Sequence, residues 1–406
     1  MSVQKKIKSL CKSETGTDRS DLSFCIKELG LKTGEIKGVN PVLKKTTIPF
    51  VFPNSESSLL KRLRKRFDFC DVIKNKDEFH AQLELAKWVD AHIYRSNDVG
   101  AVSNPLEILE LSRKKTVGFY CSHFSLVFAA CANAAGFTAR CMAIDSLHTK
   151  YENSTHHGTN EIYSTFYRKW FLIDSMHGCI YLKKQIPLNA YEIAEEWLAN
   201  KGENIDIYGF NKDKIINKSH KVTLKNQHES SAYYFFYTAI LMDPFFNNGA
   251  AYPDRMLFFE NQERKKYAWY QGPGGKSHLH IGYSGAFLHT RRLDDFYFDV
   301  NTVYIKTRPL TAAGDIALSF ETFTPNFSHF LYRLNGGAWC KSSGSKPWNR
   351  RQGGYSMKNG KVSFPDVLLN EIRWRIRHGG RYSLEVKPVN RLSREGAISS
   401  LSFTLK

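Results

Sequence analysis

The spacing of apolar residues predicts three amphipathic helices in the first third of the chain. Apolar residues recur every three to four positions over residues 57–70 and 76–96, the spacing that places them on one helical face. A shorter helix is predicted over residues 105–113. Asn104 is its expected N-cap, because an asparagine side chain accepts a hydrogen bond from the amides of a first helical turn.

The next segment predicts a buried helix followed by short strands. Residues 121–135 carry apolar side chains on one face, and Gly136 follows at a position where helices commonly end. Residues 138–145, 161–167 and 170–174 are short, rich in β-formers and separated by polar breakers. A helix followed by such strands favours an α+β core.

Beyond these strands the pattern changes twice. Asn189 is the expected cap of a helix that includes residues 191–198, and the polar residues 200–226 are expected to form a linker. Residues 232–305 and 307–406 contain short strand-like runs separated by turn residues, which is typical of β-sandwiches. One or two β domains are therefore expected after the core.

Together these patterns predict an α+β protein in four parts. Residues 1–55 are lysine-rich with scattered glycine and proline, and are expected to form an irregular arm. Residues 56–220 are expected to form the core, residues 221–305 a β-rich middle region, and residues 306–406 a β-sandwich. The length of 406 residues, with 42% hydrophobic side chains, is ample for such a multidomain protein.

Composition narrows the expected location. No segment approaches the roughly 18 to 20 consecutive apolar residues that a membrane-spanning helix requires. The N-terminal residues lack the apolar segment of a secretory signal, and the eight cysteines are scattered rather than arranged as a disulfide framework. We therefore expect a cytoplasmic protein with reduced thiols and no membrane span.

The formal net charge of +19 predicts attraction to acidic partners. Two basic runs stand out: Lys61, Arg62, Arg64, Lys65 and Arg66 form one, and Arg373, Arg375 and Arg377, alternating with Trp374 and Ile376, form the other. Such runs can hold phosphate or carboxylate groups, but solvent-facing charge is the commoner explanation. Nucleic acid is therefore not the expected partner.

Cys121 occupies the position in the chain that best suits a reactive thiol. A cysteine attacks a carbonyl group as thiolate, so it needs a group or field that lowers its pKa. Cys121 stands at the predicted start of a helix, where the positive end of the helix dipole favours an anion. Cys131 in the helix and Cys141 in a strand are instead expected to be core thiols. A cysteine at a helix start is, by itself, more often structural than catalytic.

Two further residues are placed to assist that thiol. If a strand begins at His157, the period of two puts His157, Glu161 and Tyr163 on one side. Asp174 ends the next predicted strand, so antiparallel pairing would bring its carboxylate beside the imidazole and orient it. Each residue alone is more often structural, His157 as a loop residue after His156 and Asp174 as a strand-end cap.

Several motifs together resemble the transglutaminase-like family of papain-like cysteine enzymes. They are G-F-Y-C-S-H-F, A-A-G-F-T-A-R, H-x-x-x-E-I-Y and K-W-F-L-I-D, with W-V-D-A-H-I upstream and P-L-N-A-Y-E downstream, as in bacterial members, and they span residues 76–195. The resemblance implies a core in which the cysteine-bearing helix packs on an antiparallel sheet. The H-x-x-x-E register selects His157 rather than His156, and Thr159 stands where the family usually has a large side chain.

The resemblance also implies a catalytic triad. Cys121 would be the nucleophile, His157 the general base and then acid, and Asp174 the group that orients His157. Attack on an amide, ester or thioester would give an S-acyl enzyme. Water would make the protein a hydrolase of the amidase or peptidase type, the first expectation, and an amine would make it an acyltransferase or transglutaminase. The substrate would be a peptide, polysaccharide or carrier conjugate, acidic if the positive charge attracts it, and no cofactor is expected.

The C-terminal part shows a second resemblance. The segments Y-R-L-N-G-G-A-W from Tyr332 and Y-S-L-E-V-K-P-V-N from Tyr382 are similar to immunoglobulin-like or fibronectin-like sandwiches. The large aromatic residues of this region are expected in its core rather than on a sugar-binding surface. They include Trp339, Trp348 and Trp374.

Other site chemistries are less consistent with the spacing. A group of metal-ligand types lies close along the chain, namely His148, His156, His157, His177 and Cys179, but it lacks C-x-x-C and H-E-x-x-H spacing, so no metal site is expected. The run Q-G-P-G-G-K-S around Gly272 has Tyr270 where a phosphate loop needs its first glycine, which favours a turn. A non-catalytic protein that binds acidic polymers remains the alternative, and the patterns predict no oligomeric state.

Overall fold

The structure is a computed structural model. It describes residues 20–48, 50, 52–96, 100, 102–145, 156–200, 202–218, 235–239, 255–259, 286–311, 314–342, 356–358, 361–363, 372–376 and 379–405. Within these ranges the chain combines helices with mainly antiparallel sheets, so the α+β class is confirmed. Among the helices of the described ranges, none has the length and apolar character needed to cross a membrane.

The helices are concentrated in the first half of the chain and the strands in the second. The helices are α1 Ser20–Glu28, α2 Ser58–Arg66, α3 Phe69–Val72, α4 Glu78–His92, α5 Pro105–Lys114, α6 Cys121–Ala134 and α7 Ala190–Asn200. The strands are β1 Lys37–Val39, β2 Ala139–Asp145, β3 His156–Ser164, β4 Lys169–Asp174, β5 Cys179–Lys183, β6 Ile186–Pro187, β7 Asp206–Gly209, β8 Lys214–Lys218, β9 Phe235–Ala239, β10 Arg255–Phe259, β11 Ala286–Thr290, β12 Val303–Leu310, β13 Asp315–Thr322, β14 Phe327–Leu334, β15 Cys340–Ser342, β16 Ser356–Lys358, β17 Lys361–Ser363, β18 Ile372–Trp374, β19 Gly380–Asn390 and β20 Ser399–Leu405.

The chain forms two compact units. Unit 1 comprises the described residues within Met1–Lys45, Thr165–Arg168 and Phe298–Lys406, and unit 2 those within Thr46–Ser164 and Lys169–Tyr297. The boundaries expected from the sequence at residues 55, 220 and 305 stay predictions. Most of the expected middle region lies outside the described residues.

Unit 2 is built around helix α6. This helix packs against β2 and β3 on one side and against α2, α4 and α5 on the others. Nearly every residue from Phe124 to Ala134 is buried, as the apolar pattern predicted. The sheet beneath runs in the order β11-β10-β9-β2-β3-β4-β5-β7-β8, with β6 paired to β5. Its strands pair antiparallel except for β10 with β11.

Local signals account for where these helices begin and end. The Asn104 side chain accepts a hydrogen bond from the amide of Leu106 at 3.0 Å, so the predicted cap of α5 is confirmed. Gly136 has a φ of 86°, a left-handed conformation that glycine adopts without strain, and it ends α6 as expected. The single helix predicted over residues 57–70 is instead two, because Phe67 is extended and separates α2 from α3.

Two regions expected to be irregular contain regular structure. The polar residues 200–226 include the hairpin β7–β8, in which β7 pairs with β5 at the edge of the unit 2 sheet. The N-terminal segment includes α1, whose Leu22 and Ile26 are buried in the core of unit 1. Both elements are stabilised by packing against distant parts of the chain, and the local pattern of the sequence does not show that packing.

Unit 1 contains two larger antiparallel sheets. One has the order β1-β20-β19-β14-β15 and the other β12-β13-β18, and buried residues of both belong to one hydrophobic core. This arrangement supports the expected sandwich, which stays a prediction. Trp374 is 1% exposed and lies in that core as predicted. Trp339 is half-buried with the Lys387 ammonium 4.4 Å from its ring centre, and Trp348 lies outside the described residues.

The first basic run is less available to partners than its charge suggests. Lys61 forms an ion pair of 2.8 Å with Glu56, and Arg66 forms one with Glu110. Arg64 donates a hydrogen bond of 3.1 Å to the carbonyl oxygen of Ala134 at the end of α6. Part of the run therefore stabilises unit 2.

The second basic run alternates as predicted over its described part. Trp374 and Ile376 are buried while Arg373 and Arg375 are exposed. Arg373 forms an ion pair with Asp315. Arg377, the third arginine of the run, lies outside the described residues.

A buried ion pair sets the register of β2 against β3. The Arg140 guanidinium donates to Glu161 Oε2 at 2.6 and 3.1 Å, and both side chains are at most 4% exposed. Glu161 Oε1 accepts from the Ala190 amide at 2.9 Å and from the Tyr297 hydroxyl at 3.0 Å. These bonds satisfy both charges and connect the start of α7 to β3.

We predict that Glu161→Gln destabilises unit 2 by about 3–5 kcal/mol, because removing one charge of a buried pair leaves the other uncompensated. Urea unfolding of the full chain measures this loss. Lys61→Ala, which removes an exposed ion pair, is the control and should change the free energy of unfolding by about 0.5 kcal/mol or less. An equally small loss for Glu161→Gln would contradict the role assigned to the buried pair.

Candidate active site

The structure places the three candidate residues at the ends of neighbouring elements of unit 2. Cys121 is the first residue of α6, His157 is the second residue of β3, and Asp174 is the last residue of β4. His157 Nε2 lies 2.7 Å from Asp174 Oδ2. The Cys121 side chain lies close enough to the His157 ring to raise its pKa through hydrogen bonding and charge. The imidazole therefore contacts the carboxylate and lies near the thiol.

Close packing of β3 against the start of α6 creates this contact. The Ser125 hydroxyl donates a hydrogen bond of 2.6 Å to the carbonyl oxygen of Thr159, and the Asn160 amide donates one of 2.9 Å to the carbonyl oxygen of Ser125. A Cβ atom at Gly158 would lie 3.0 Å from Ser122 Cα, which is tighter than ordinary contact. Glycine at 158 therefore allows the backbone next to His157 to reach the first turn of the helix.

The first turn of α6 is capped by a histidine. His123 Nδ1 accepts a hydrogen bond of 3.1 Å from the amide of Tyr120, the residue just before the helix. Burial lowers the pKa of His123, which favours the neutral ring that this acceptor role requires. This hydrogen bond fixes the start of the helix next to Cys121. The neutral ring of His123 adds no positive charge there.

Neighbouring charges and hydrogen bonds outweigh burial in setting the pKa values of His157 and Asp174. Burial of His157 opposes the imidazolium, but the charge and hydrogen bond of Asp174, followed by the hydrogen bond and charge of Cys121, raise the pKa of His157 to about 10. Burial of Asp174 would raise its pKa, but the charge and hydrogen bond of His157 and the contacts of His177 lower it well below its usual range. Both residues are therefore charged at neutral pH.

A second histidine, His177, contacts the same carboxylate. His177 Nδ1 lies 2.9 Å from Asp174 Oδ2, and the His177 amide donates a hydrogen bond of 3.0 Å to Asp174 Oδ1. The His177 ring centre is 4.6 Å from that of His157. The sequence showed His177 only as a member of a histidine-rich stretch. Its place in the turn after Asp174 does not identify it from sequence, because the burial of Asp174 is what sets it apart.

The turn that carries His177 is held by a polar network. Arg95 donates a hydrogen bond to the carbonyl oxygen of Met176 and forms an ion pair with Asp90. Asp90 also accepts a hydrogen bond of 2.6 Å from the Asn211 amide. Burial raises the pKa of Asp90, an effect that Arg95 opposes. These bonds tie the turn to the end of α4 and to the β7–β8 hairpin.

The other thiols and histidines named from the sequence lie apart from this group or outside the described residues. Cys131 is buried and burial raises its pKa, as expected for a core thiol. Cys141 is half-buried, and its thiol lies 3.7 Å from the Ser125 carbonyl oxygen. His148 and the run around Gly272 fall outside the described ranges.

The two histidines and Asp174 also form a group of metal-ligand type. One ligand atom from each of His157, Asp174 and His177 lies within 4.8 Å of the others. Both imidazoles, however, are at hydrogen-bonding distance from the same oxygen, Asp174 Oδ2. They point at the carboxylate rather than at a shared point between three ligands. The geometry therefore favours a hydrogen-bonded group.

Comparisons with known proteins add little to this geometry. No protein-family model matches the chain, and no curated protein matches it significantly. Among solved structures, the crystal structure of red sea bream transglutaminase is similar over 95% of this chain and 78% of that chain, with 9% identity and a TM-score of 0.26. A likeness this remote carries no argument about fold or function.

We predict that Asp174→Asn weakens the fold in a pH-dependent way. The pKa of His157, about 10 in the folded protein, lies above the 6.5 of an ordinary histidine, so the pair stabilises the fold fully below pH 6.5 and loses this effect as the pH rises toward 10. The pKa of Asp174 is lowered, so its contribution is present above pH 3.8 and is lost as the pH falls below that value.

The difference in unfolding free energy between wild type and Asp174→Asn should therefore be largest between pH 3.8 and pH 6.5. It should reach about 3 kcal/mol, the scale for one partner of a buried ion pair. Urea titrations at several pH values measure it. A difference that stays constant up to about pH 10 would show that His157 and Asp174 are not a charged pair.

Proposed function

We propose that this protein is a cysteine-dependent acyl-transfer enzyme with Cys121 as nucleophile and His157 and Asp174 as its partners. The observation that carries the proposal is the position of the His157 ring, which lies 2.7 Å from Asp174 Oδ2 and close enough to the Cys121 side chain for that side chain to raise the pKa of the ring. A thiol, an imidazole and a buried carboxylate in this order form the recurring apparatus of nucleophilic acyl transfer.

The electrostatics favour a thiolate and imidazolium pair before substrate binds. The charge and hydrogen bond of Asp174 raise the pKa of His157, which favours a positively charged ring at neutral pH. A positive ring in hydrogen-bond contact stabilises a negative sulfur on Cys121. The start of α6 adds the positive end of a helix dipole at the same sulfur. His157 therefore begins the reaction as the acid, and no separate base is needed to deprotonate the thiol.

The reaction has two balanced steps. In the first step the Cys121 sulfur forms a bond to the substrate carbonyl carbon, the carbonyl oxygen becomes an oxyanion, and the helix start stabilises that charge. The bond to the leaving group then breaks as His157 donates its proton to the leaving nitrogen, oxygen or sulfur. In the second step water or an amine attacks the S-acyl carbon and gives a proton to His157, and the thiolate leaves.

The half-buried position of Cys121 suits either outcome of the second step. We propose hydrolysis of amidase or peptidase type as the main activity, with transfer to an amine as the alternative. The net charge of +19 supports an acidic amide, ester or thioester conjugate as the substrate, since it raises the encounter rate of such molecules. A reduced thiol at position 121 is required, which suits a cytoplasmic location.

We predict that Cys121 reacts first when the folded protein is treated with limiting iodoacetamide at about pH 5.5. An ordinary thiol, with a pKa of about 8.5, is only ~0.1% ionised there, whereas a thiolate paired with imidazolium stays reactive. Peptide mass mapping reports the site of labelling. Cys340, a free and exposed cysteine, is the control within the same chain, and Cys121 should label at least about 10-fold faster.

The acyl-transfer step is tested with p-nitrophenyl acetate. An acetyl adduct should accumulate on Cys121 and decay with water, and added methylamine should shorten its lifetime if the enzyme accepts amines. Cys121→Ser should show no adduct at this position, and His157→Gln should form it far more slowly. If Cys121 is labelled no faster than Cys340 and no acetyl adduct forms, the protein is a binding protein rather than an enzyme.

A further inference from the structure

The carboxylate of Asp174 receives more hydrogen bonds than its interaction with His157 requires. Its side chain is 1% exposed, and it accepts from His157 at Oδ2 and from the backbone amide and ring of His177 at Oδ1 and Oδ2. An ionised carboxylate has only acceptors, so His177 must carry its proton on Nδ1. Two of the three bonds to Asp174 thus come from one residue.

The same local motif is also formed by Asp77 and His80, at an exposed site. His80 Nδ1 lies 2.7 Å from Asp77 Oδ2, and the His80 amide donates a hydrogen bond of 3.0 Å to Asp77 Oδ1. Asp77 is the N-cap of α4, and its side chain is 55% exposed. There the aspartate caps a helix. Within the described chain, its hydrogen-bond partners do not include a second histidine. The motif by itself is therefore a structural turn.

Two features distinguish the copy at Asp174. The carboxylate is buried, and Oδ2 is shared between the rings of His177 and His157. A buried carboxylate that rotated about its Cβ–Cγ bond would lose the short contact with His157. The His177 amide on one oxygen and the His177 ring on the other fix the plane of the carboxylate. The ring is 46% exposed, whereas the carboxylate that it contacts is 1% exposed.

Three ionisable groups of unit 2 interact with His177 in the described part of the chain. Asp174 and His157 face it from β4 and β3, and Asp90 interacts with it electrostatically from α4. Arg95 neutralises Asp90 and holds the carbonyl oxygen of Met176, so the turn is anchored on the side away from His157. With the turn anchored in this way, the His177 amide and ring are held in place to fix the orientation of Asp174.

We propose that His177 is a positioning residue that holds the Asp174 carboxylate in the plane required by His157 and keeps water from that contact. The importance of His177 for catalysis rests on the proposed function. The hydrogen-bond geometry it describes can be measured without a substrate. The role is assigned to His177 through Asp174, to which both its amide and its ring donate.

Histidine-selective nitrogen-15 labelling of the full chain tests the proposal. The His157 signal, assigned with the variant His157→Gln, is titrated in wild type, His177→Ala and His177→Asn. Alanine removes the ring donor and admits water to Asp174, so the His157 midpoint should fall by about one pH unit or more toward that of ordinary histidine. Asparagine has a donor at the δ position of the side chain, so it should restore most of the wild-type midpoint.

His80→Ala, which removes the ring from the matching exposed motif, should leave the His157 midpoint unchanged. Thermal unfolding of each variant shows that the fold is retained at the titration temperature. An unchanged His157 midpoint in His177→Ala, or a midpoint in His177→Asn as low as in His177→Ala, would overturn the positioning role. This titration does not depend on acyl transfer, whereas the ratio of Cys121 to Cys340 labelling tests the proposed function. Failure of the positioning role can therefore be told from failure of the proposed function.

Discussion

The site depends on one interaction, the contact of the buried Asp174 carboxylate with the His157 imidazole, which lies near the Cys121 thiol. Asp174 is removed from water, and a buried negative charge is costly unless a positive partner lies close to it. His157 is that partner, and the charge and the 2.7 Å hydrogen bond of Asp174 are the main causes that raise the pKa of the ring against the effect of burial. The positive charge on the ring is therefore a consequence of where Asp174 is buried. Any chemistry at Cys121 starts from that charge.

The rest of unit 2 can be understood as the framework that this contact requires. The helix that begins at Cys121 is buried along nearly its whole length, which fixes its first turn in space. Hydrogen bonds from Ser125 and Asn160 join the helix to β3, and the missing side chain of Gly158 allows the close approach next to His157. The buried Arg140 and Glu161 pair holds the register further along the strand. Small errors in any of these contacts would separate the imidazole from the thiol.

Much of the local structure could be predicted from the sequence. The start of a helix at Cys121, its end at Gly136 and the cap at Asn104 follow from short-range rules, and the structure confirms them. The predicted strand 170–174 matches β4 closely, whereas β3, predicted over residues 161–167, begins five residues and ends three residues earlier. The proximity of the three side chains was a prediction from pairing and resemblance, and the catalytic roles of these residues stay predictions.

What the sequence did not show depends on tertiary contacts. His177 looks like any histidine in a turn, and only the burial of Asp174 distinguishes it from His80, which has the same spacing to its aspartate. The hairpin β7–β8 is polar and resembles a linker until it pairs with β5. Helix α1 lies in a lysine-rich segment, and its buried face has meaning only against the sheets of unit 1. In each case the deciding partner is distant along the chain.

The ionisation of Cys121 can be measured directly by the ultraviolet absorbance of the thiolate near 240 nm. It is recorded against pH for the folded wild type and for Cys121→Ser. The difference between the two reports the ionisation of the one sulfur that His157 contacts. We expect the difference absorbance to be fully developed at about pH 6 and to require His157, so that the same subtraction in a His157→Gln background shows it only at higher pH. A difference that appears only above about pH 8 in the wild type, as for an ordinary thiol, would show that His157 does not stabilise a thiolate at Cys121.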